Sequence, residues 1–105
     1  MERIMRISVT EREVISSSAK QIFGSDTKVV LFGSRANDAS RGGDIDLLII
    51  PPDDSVRTEF FNKKFQFIFK VLDKIGDQKI DVIIKYPDDK RGIIQTALNE
   101  GVRIC

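Results

Sequence analysis

Residues Leu31 to Ile50 read LFGSRANDASRGGDIDLLII, and this stretch decides the fold. An apolar run, Val29-Val30-Leu31-Phe32, enters it as a strand and turns at Gly33-Ser34. Nine residues, Arg35 to Gly43, lead from that turn to Asp44-Ile45-Asp46, and apolar Leu47 to Ile50 follows at once. Side chains i and i+2 share a face of a strand, so Asp44 and Asp46 point the same way. Ile45 points to the opposite face, and Leu47 to Ile50 has the near-continuous apolar character of a strand covered on both sides. Two carboxylates at the mouth of a buried strand repel each other and lose hydration. A divalent cation removes that cost, and hard Mg²⁺ typically takes one or two carboxylates together with substrate phosphates. On the first strand, Gly33 allows a tight turn and Ser34 can cap a short helix begun by Arg35-Ala36-Asn37. Backbone N–H groups at a helix N-terminus bind anions, so an anion seat and a metal seat are expected on neighbouring strands.

The flanking chain supplies alternating helices and strands. Val9 to Val14 predicts a helix start in which Thr10 caps, Glu13 completes a capping box and Val9 staples to Val14. Ile15, Ala19, Ile22 and Phe23 then share a face, and Gly24 ends the helix. A strand over Lys28 to Phe32 leads into the turn, and the Asp44 strand stops at Pro51-Pro52. Asp53-Asp54-Ser55 opens a long helix over Val56 to Ile75. Its periodicity places Phe61, Phe65, Ile68, Phe69, Leu72 and Ile75 on the core face, with Phe60, Phe67 and Val71 on the other side as a candidate docking stripe. A strand over Lys79 to Lys85 carries Asp81. Asp88-Asp89 is expected to cap a helix over Lys90 to Asn99, Gly101 closes that helix, and Val102 to Ile104 forms an edge strand. The order is helix, strand, short helix, strand, long helix, strand, helix, strand. That pattern predicts an α/β (α+β) domain with a small mixed sheet and helices packed on it, a single domain over 1–105.

Composition excludes several classes of chemistry. The 105 residues carry 17 basic and 16 acidic side chains, so no overall field argues for direct nucleic-acid binding. With no histidine, the commonest general base and zinc ligand is missing, and chemistry must run on carboxylates, hydroxyls and hard cations. The single cysteine, Cys105, excludes an internal disulfide and fits a reducing cytoplasm. Met1 to Ser8 has no signal-peptide core, and no stretch approaches membrane-spanning length. The Asp44-x-Asp46 pair lacks the glycine and distal glutamate of a calcium loop.

Gly33-Ser34, the nine-residue gap, Asp44-Ile45-Asp46 and a third acid, Asp81 in Lys79-Ile80-Asp81-Val82-Ile83-Ile84, together resemble the DNA polymerase β-like nucleotidyltransferase superfamily. More narrowly, the chain is similar to the minimal nucleotidyltransferases (MNT-type). The resemblance implies transfer of a nucleoside monophosphate, AMP from ATP, to a hydroxyl with release of pyrophosphate. It implies Asp44, Asp46 and Asp81 as catalytic metal ligands for two Mg²⁺ ions, with Mn²⁺ able to substitute, and Gly33 and Ser34 as phosphate-binding residues. Arg35, Arg41 and Lys85 are left out of that set as ordinary surface charges. With 24 residues after Asp81 (82–105), the acceptor is expected to bring its own binding surface. MNT-type proteins pair with small helical HEPN partners as antitoxins, some adding AMP to a partner tyrosine, which makes a HEPN-type toxin the implied acceptor. A non-catalytic antitoxin or binding module and a transferase for a small-molecule hydroxyl remain the alternatives, and the 56–75 helix is a candidate homo-oligomer contact.

Overall fold

A computed structural model of the chain describes residues 7–33, 44–52, 59–76 and 78–105. The first helix, α1 (Val9–Phe23), is capped by Ser8, whose side chain accepts a hydrogen bond from the Glu11 N–H at 3.0 Å. The Glu11 carboxylate accepts from the Ser8 N–H at 2.8 Å, completing the box. This pair replaces the expected Thr10 and Glu13, and Val9 lies exposed instead of stapled to Val14. Both pairs have the spacing of a capping box. Glu11 also accepts from the Gln78 side chain, a tertiary tie that favours the earlier start. The apolar face comes out as expected, with Ile15, Ala19 and Phe23 buried.

Among the described residues, four strands, β1 (Lys28–Phe32), β2 (Ile45–Ile50), β3 (Ile80–Ile84) and β4 (Val102–Arg103), form one sheet in the order β3-β2-β1-β4. β1 pairs antiparallel with β2 and β4, and β2 pairs parallel with β3. The parallel pair needs a crossover, which α2 (Phe60–Ile75) supplies, and α3 (Gly92–Glu100) joins β3 to β4. This is the mixed α+β sheet expected; the proposed short helix after Gly33 and the Asp53-Asp54-Ser55 cap lie outside the described residues. Among the described residues, no helix is long and apolar enough to cross a membrane.

Strand alternation sorts the core into two layers. Leu31, Ile45, Leu47, Ile49, Val82 and Ile84 pack with α1 and α2 on one face. Val30, Phe32 and Leu48 pack with Ile94 and Ala97 of α3 on the other. β2 is therefore covered on both sides, as its unbroken apolar run requires.

The long helix turns its faces the other way round from the expectation. Phe60, Phe67 and Val71 are buried, whereas Phe61, Phe65 and Phe69 stand 70, 42 and 67% exposed. Both stripes are apolar, so hydrophobicity alone does not choose between them. Ring packing does. Phe60 stacks on Tyr86 at 5.7 Å and meets Phe23 edge-on at 6.4 Å, while Phe67 lies 6.2 Å from Phe23. The crossover geometry between β2 and β3 turns these residues toward α1 and leaves the other stripe outside.

The β3–α3 connection also departs from its reading as a helix cap. α3 starts at Gly92 after Arg91, with no side-chain cap bond. Asp89 instead ties the turn, accepting from the Tyr86 and Arg91 backbone N–H groups and pairing with the Arg91 guanidinium at 2.6 Å. That guanidinium also donates to the Ile84 carbonyl and lies over the Tyr86 ring. The hydrogen bonds from Arg91 hold the Asp89 carboxyl well below the usual carboxylate range. Gly101 ends α3 at an ordinary φ of −80°. Its lack of a side chain matters because a Cβ there would strike the Ala97 carbonyl, Val30 and the Leu31 carbonyl, which fixes how closely α3 meets β1.

The inverted helix gives a direct test. Phe67→Ala should cost about 3–5 kcal/mol, as truncation of a buried aromatic does. Phe69→Ala, measured in dilute solution, should stay within about 0.5 kcal/mol of the parent. Urea titration of both variants checks the assignment, and the opposite ranking would restore the sequence-based one.

Candidate active site

Sheet register lays the site out as a row across three strands. Phe32 on β1 pairs with Asp46 on β2, and Asp46 pairs with Asp81 on β3. Neighbouring strands lie about 4.8 Å apart, so the end of β1 and two acids from distant parts of the chain become side-by-side neighbours. Because Leu47, Ile49, Val82 and Ile84 face α1 and α2, Asp46 and Asp81 emerge on the α3 side of the sheet. Asp44, two residues before Asp46, joins them, and one carboxylate oxygen from each of the three lies within 4.8 Å of the others.

Gly33 closes the row at the β1 end. Its φ of +72° is a left-handed conformation that favours glycine. A Cβ built there would overlap the Asp46 carboxylate. The glycine therefore does more than permit a turn: it lets the chain pass directly over the central acid. Ser34, Arg35 and Arg41 lie outside the described residues. Lys85 belongs to the other end of β3, where its N–H donates to the Ile49 carbonyl and its ammonium to the Tyr86 carbonyl.

One participant was missed in the sequence. Lys79 places its ammonium 3.5 Å from the Asp44 carboxylate, and its backbone carbonyl accepts from the Ile45 N–H at 2.9 Å. The signal was available, since Lys79 is two residues before Asp81 and so shares its face. The lysine is largely exposed, and an exposed pair of this kind contributes about 0.2–1 kcal/mol. Among the described residues, three acids against one cation leave excess negative charge. Burial, then repulsion from Asp81 and Asp44, push the Asp46 carboxyl above its ordinary value, with Lys79 pulling in the opposite direction.

This donor set fits a hard divalent cation. The three ligands are carboxylate oxygens at mutually compatible distances, and the central one bears an electrostatic cost that a cation would cancel. The geometry of a strand-borne acid pair, a third acid on the parallel neighbour and a glycine corner over the pair defines the class. A family model described as a nucleotidyltransferase domain matches residues 12–104. The chain belongs to this family, whose activity is nucleotidyl transfer from a nucleoside triphosphate. Comparison with curated proteins gave no match, and neither did comparison with solved structures.

Asp46→Asn should raise the metal-free melting temperature at pH 7 by roughly 2–5 °C, since it removes an ionised group that the fold disfavours. The folded value lies above the unfolded one, so ionised Asp46 destabilises above that window, and the gain should shrink as pH falls toward 3.8. Thermal melts at pH 4 and 7 check both the sign and the trend. Lys79→Gln should tighten Mn²⁺ binding by up to about fivefold, the size of losing one exposed competing cation, as read by paramagnetic resonance of free Mn²⁺.

Proposed function

We propose that the chain is a Mg²⁺-dependent nucleotidyltransferase that transfers AMP from ATP to a hydroxyl of a partner protein. The observation that carries this reading is the convergence of Asp44, Asp46 and Asp81 beside the Gly33 corner. These three side chains would hold the ions. When bound, two Mg²⁺ ions, or Mn²⁺ in their place, neutralise the triphosphate and lower the pKa of the attacking hydroxyl.

The remaining work falls to the chain itself. Transfer of this kind depends on positioning and charge neutralisation more than on covalent help. The acceptor oxygen forms a bond to the α-phosphorus as the bond to the bridging oxygen breaks, and pyrophosphate leaves. Asp81, the most exposed of the three acids, accepts the hydroxyl proton. Backbone N–H groups of the Gly33-Ser34 corner and the Ser34 hydroxyl hold the departing phosphates.

The acceptor follows from the resemblance to minimal nucleotidyltransferases. It is a small helical HEPN-type protein, a toxin neutralised by the added AMP, met by a single-domain antitoxin in the cytoplasm. An exposed Asp81 supports an acceptor that brings its own hydroxyl to an open rim.

Incubation with ATP labelled at the α-phosphate, Mg²⁺ and the helical protein encoded beside this chain should label that protein. ATP labelled at the γ-phosphate should not. Asp46→Asn and Asp81→Asn should each slow labelling by about 10²–10³-fold, the size expected for loss of an electrostatic stabiliser of the transition state. A folded partner that binds the chain and gains no label would overturn the transferase reading in favour of a binding module. Label found only on a small-molecule alcohol would overturn the protein acceptor.

A further inference from the structure

We infer that the outer edge of β3 receives an extended segment of the acceptor as an added antiparallel strand, which sets the segment's hydroxyl residue opposite Asp81. The inference deepens the proposed function and rests on the transferase reading for what the hydroxyl does there. The edge itself follows from the sheet alone. Among the described residues, β3 is a terminal strand. It bonds to β2 through the Lys79 carbonyl, which accepts from the Ile45 N–H, and the Lys85 N–H, which donates to the Ile49 carbonyl. Backbone groups alternate in direction along a strand, so Lys79, Asp81, Ile83 and Lys85 turn theirs toward β2. Ile80, Val82 and Ile84 turn theirs outward.

Three features select the occupant. The first is an open ladder of defined length. Among the described residues, the outward groups of Ile80 and Val82 find no backbone partner. The ladder is stopped beyond them, where the Arg91 guanidinium donates to the Ile84 carbonyl at 2.9 Å. What remains offers two complete donor–acceptor sets, a match for about five residues of extended chain. Such an edge is a template for a strand from another molecule.

The second is register with the acids. An antiparallel strand bonded to Ile80 and Val82 meets Asp81 in the non-hydrogen-bonded position between them, where facing Cα atoms lie about 4.5 Å apart. Side chains of such a pair share a face, so the residue opposite Asp81 projects on the α3 side. The row of Phe32, Asp46 and Asp81 thus continues by one strand. A hydroxyl there stands beside the group that takes its proton. Its oxygen bonds to the α-phosphorus, the proton passes to Asp81, and pyrophosphate leaves.

The third is what flanks the edge. The residues on either side of the hydroxyl turn to the α2 face. The one before it, opposite Val82, lies beside a hollow of about 170 Å³ lined by Phe61, Lys64, Val82 and Ile84, which suits an apolar side chain. Two places after the hydroxyl, the segment passes Lys79, whose ammonium is 76% exposed and shares the Asp81 face. Its neighbour Asp44 belongs to the carboxylate cluster, so a cation held there leaves the ammonium to an acid on the incoming strand. Arg91, at the other end, is already paired with Asp89. The occupant is therefore an extended segment with a hydroxyl, an apolar residue before it and an acid two places after it.

The probe is a blocked peptide of sequence Val-Val-Thr-Val-Glu, added to the full chain without nucleotide, so its binding stands or falls separately from AMP transfer. With peptide at about 5 mM, amide hydrogen exchange at Ile80 and Val82 should slow by about tenfold or more. Asp81 and Ile83, already bonded to β2, should not change. N-methylation of the valine on either side of the threonine should weaken binding by about tenfold or more. N-methylation of the threonine, whose N–H points away from β3, should not. Lysine in place of the peptide's glutamate should weaken binding by about fivefold. Unchanged exchange at Ile80 and Val82 overturns the proposal. Equal sensitivity to all N-methyl positions overturns it too, as does protection in the free chain that lapses on dilution, which would give the edge to a second copy. A partner protein that gains AMP while those amides exchange freely also overturns it, with the transferase reading intact.

Discussion

Three carboxylates held within 4.8 Å of one another are an arrangement that a chain does not adopt unless the surrounding fold enforces it. Mutual repulsion and lost hydration drive them apart, and the raised Asp46 value records both. Enforcement comes from the sheet. Asp46 cannot leave Asp81 without breaking the parallel β2–β3 register, and that register is locked by Leu47, Leu48 and Ile49, all fully buried. A one-residue slip would turn every one of those side chains to the wrong face. Apolar burial therefore supplies the force that holds like charges together, which is the pre-organisation that a metal and a triphosphate can use.

The same constraint explains the topology. Two acids on one strand require only local alternation, whereas the third must arrive from 35 residues later in the chain, Asp46 to Asp81. Placing it in the adjacent parallel strand requires a crossover, and α2 is that crossover. Its buried rings, Phe60 and Phe67, are thus tied indirectly to the site, because they set how β3 lies beside β2. Gly33 completes the row from the antiparallel side, where only a residue without Cβ lets the chain cross Asp46.

How far all this was legible depended on whether a local rule or a tertiary choice decided the outcome. The strands, their order of appearance and the shared face of Asp44 and Asp46 follow from period-two alternation and apolar runs, and both signals are local, whereas Asp81 was legible only through the family resemblance. Gly33 was legible as a turn, although its close approach to Asp46 was not, because the pairing of Phe32 with Asp46 exists only in the sheet. Lys79 was hidden for a different reason: its relation to Asp81 is local, but its partner, Asp44, precedes a different strand, β2. The α1 start offered two capping boxes of equal spacing, and Gln78, remote in sequence, favoured Glu11. On α2 two apolar stripes competed, and Tyr86 and Phe23 decided between them. In each failure the sequence carried two acceptable local answers and a distant residue selected one.

The two layers of the sheet also divide the molecule's tasks. The α3 side carries the negative row and must stay open for a nucleotide and an acceptor, so it cannot also be sealed by association. The α1–α2 side carries the large rings and holds the register. A 105-residue chain has little interior in which to hide seven phenylalanines, and the crossover that fixes Asp81 leaves three of them outside. Exposed aromatic surface on one layer and open charge on the other are thus two consequences of one strand arrangement.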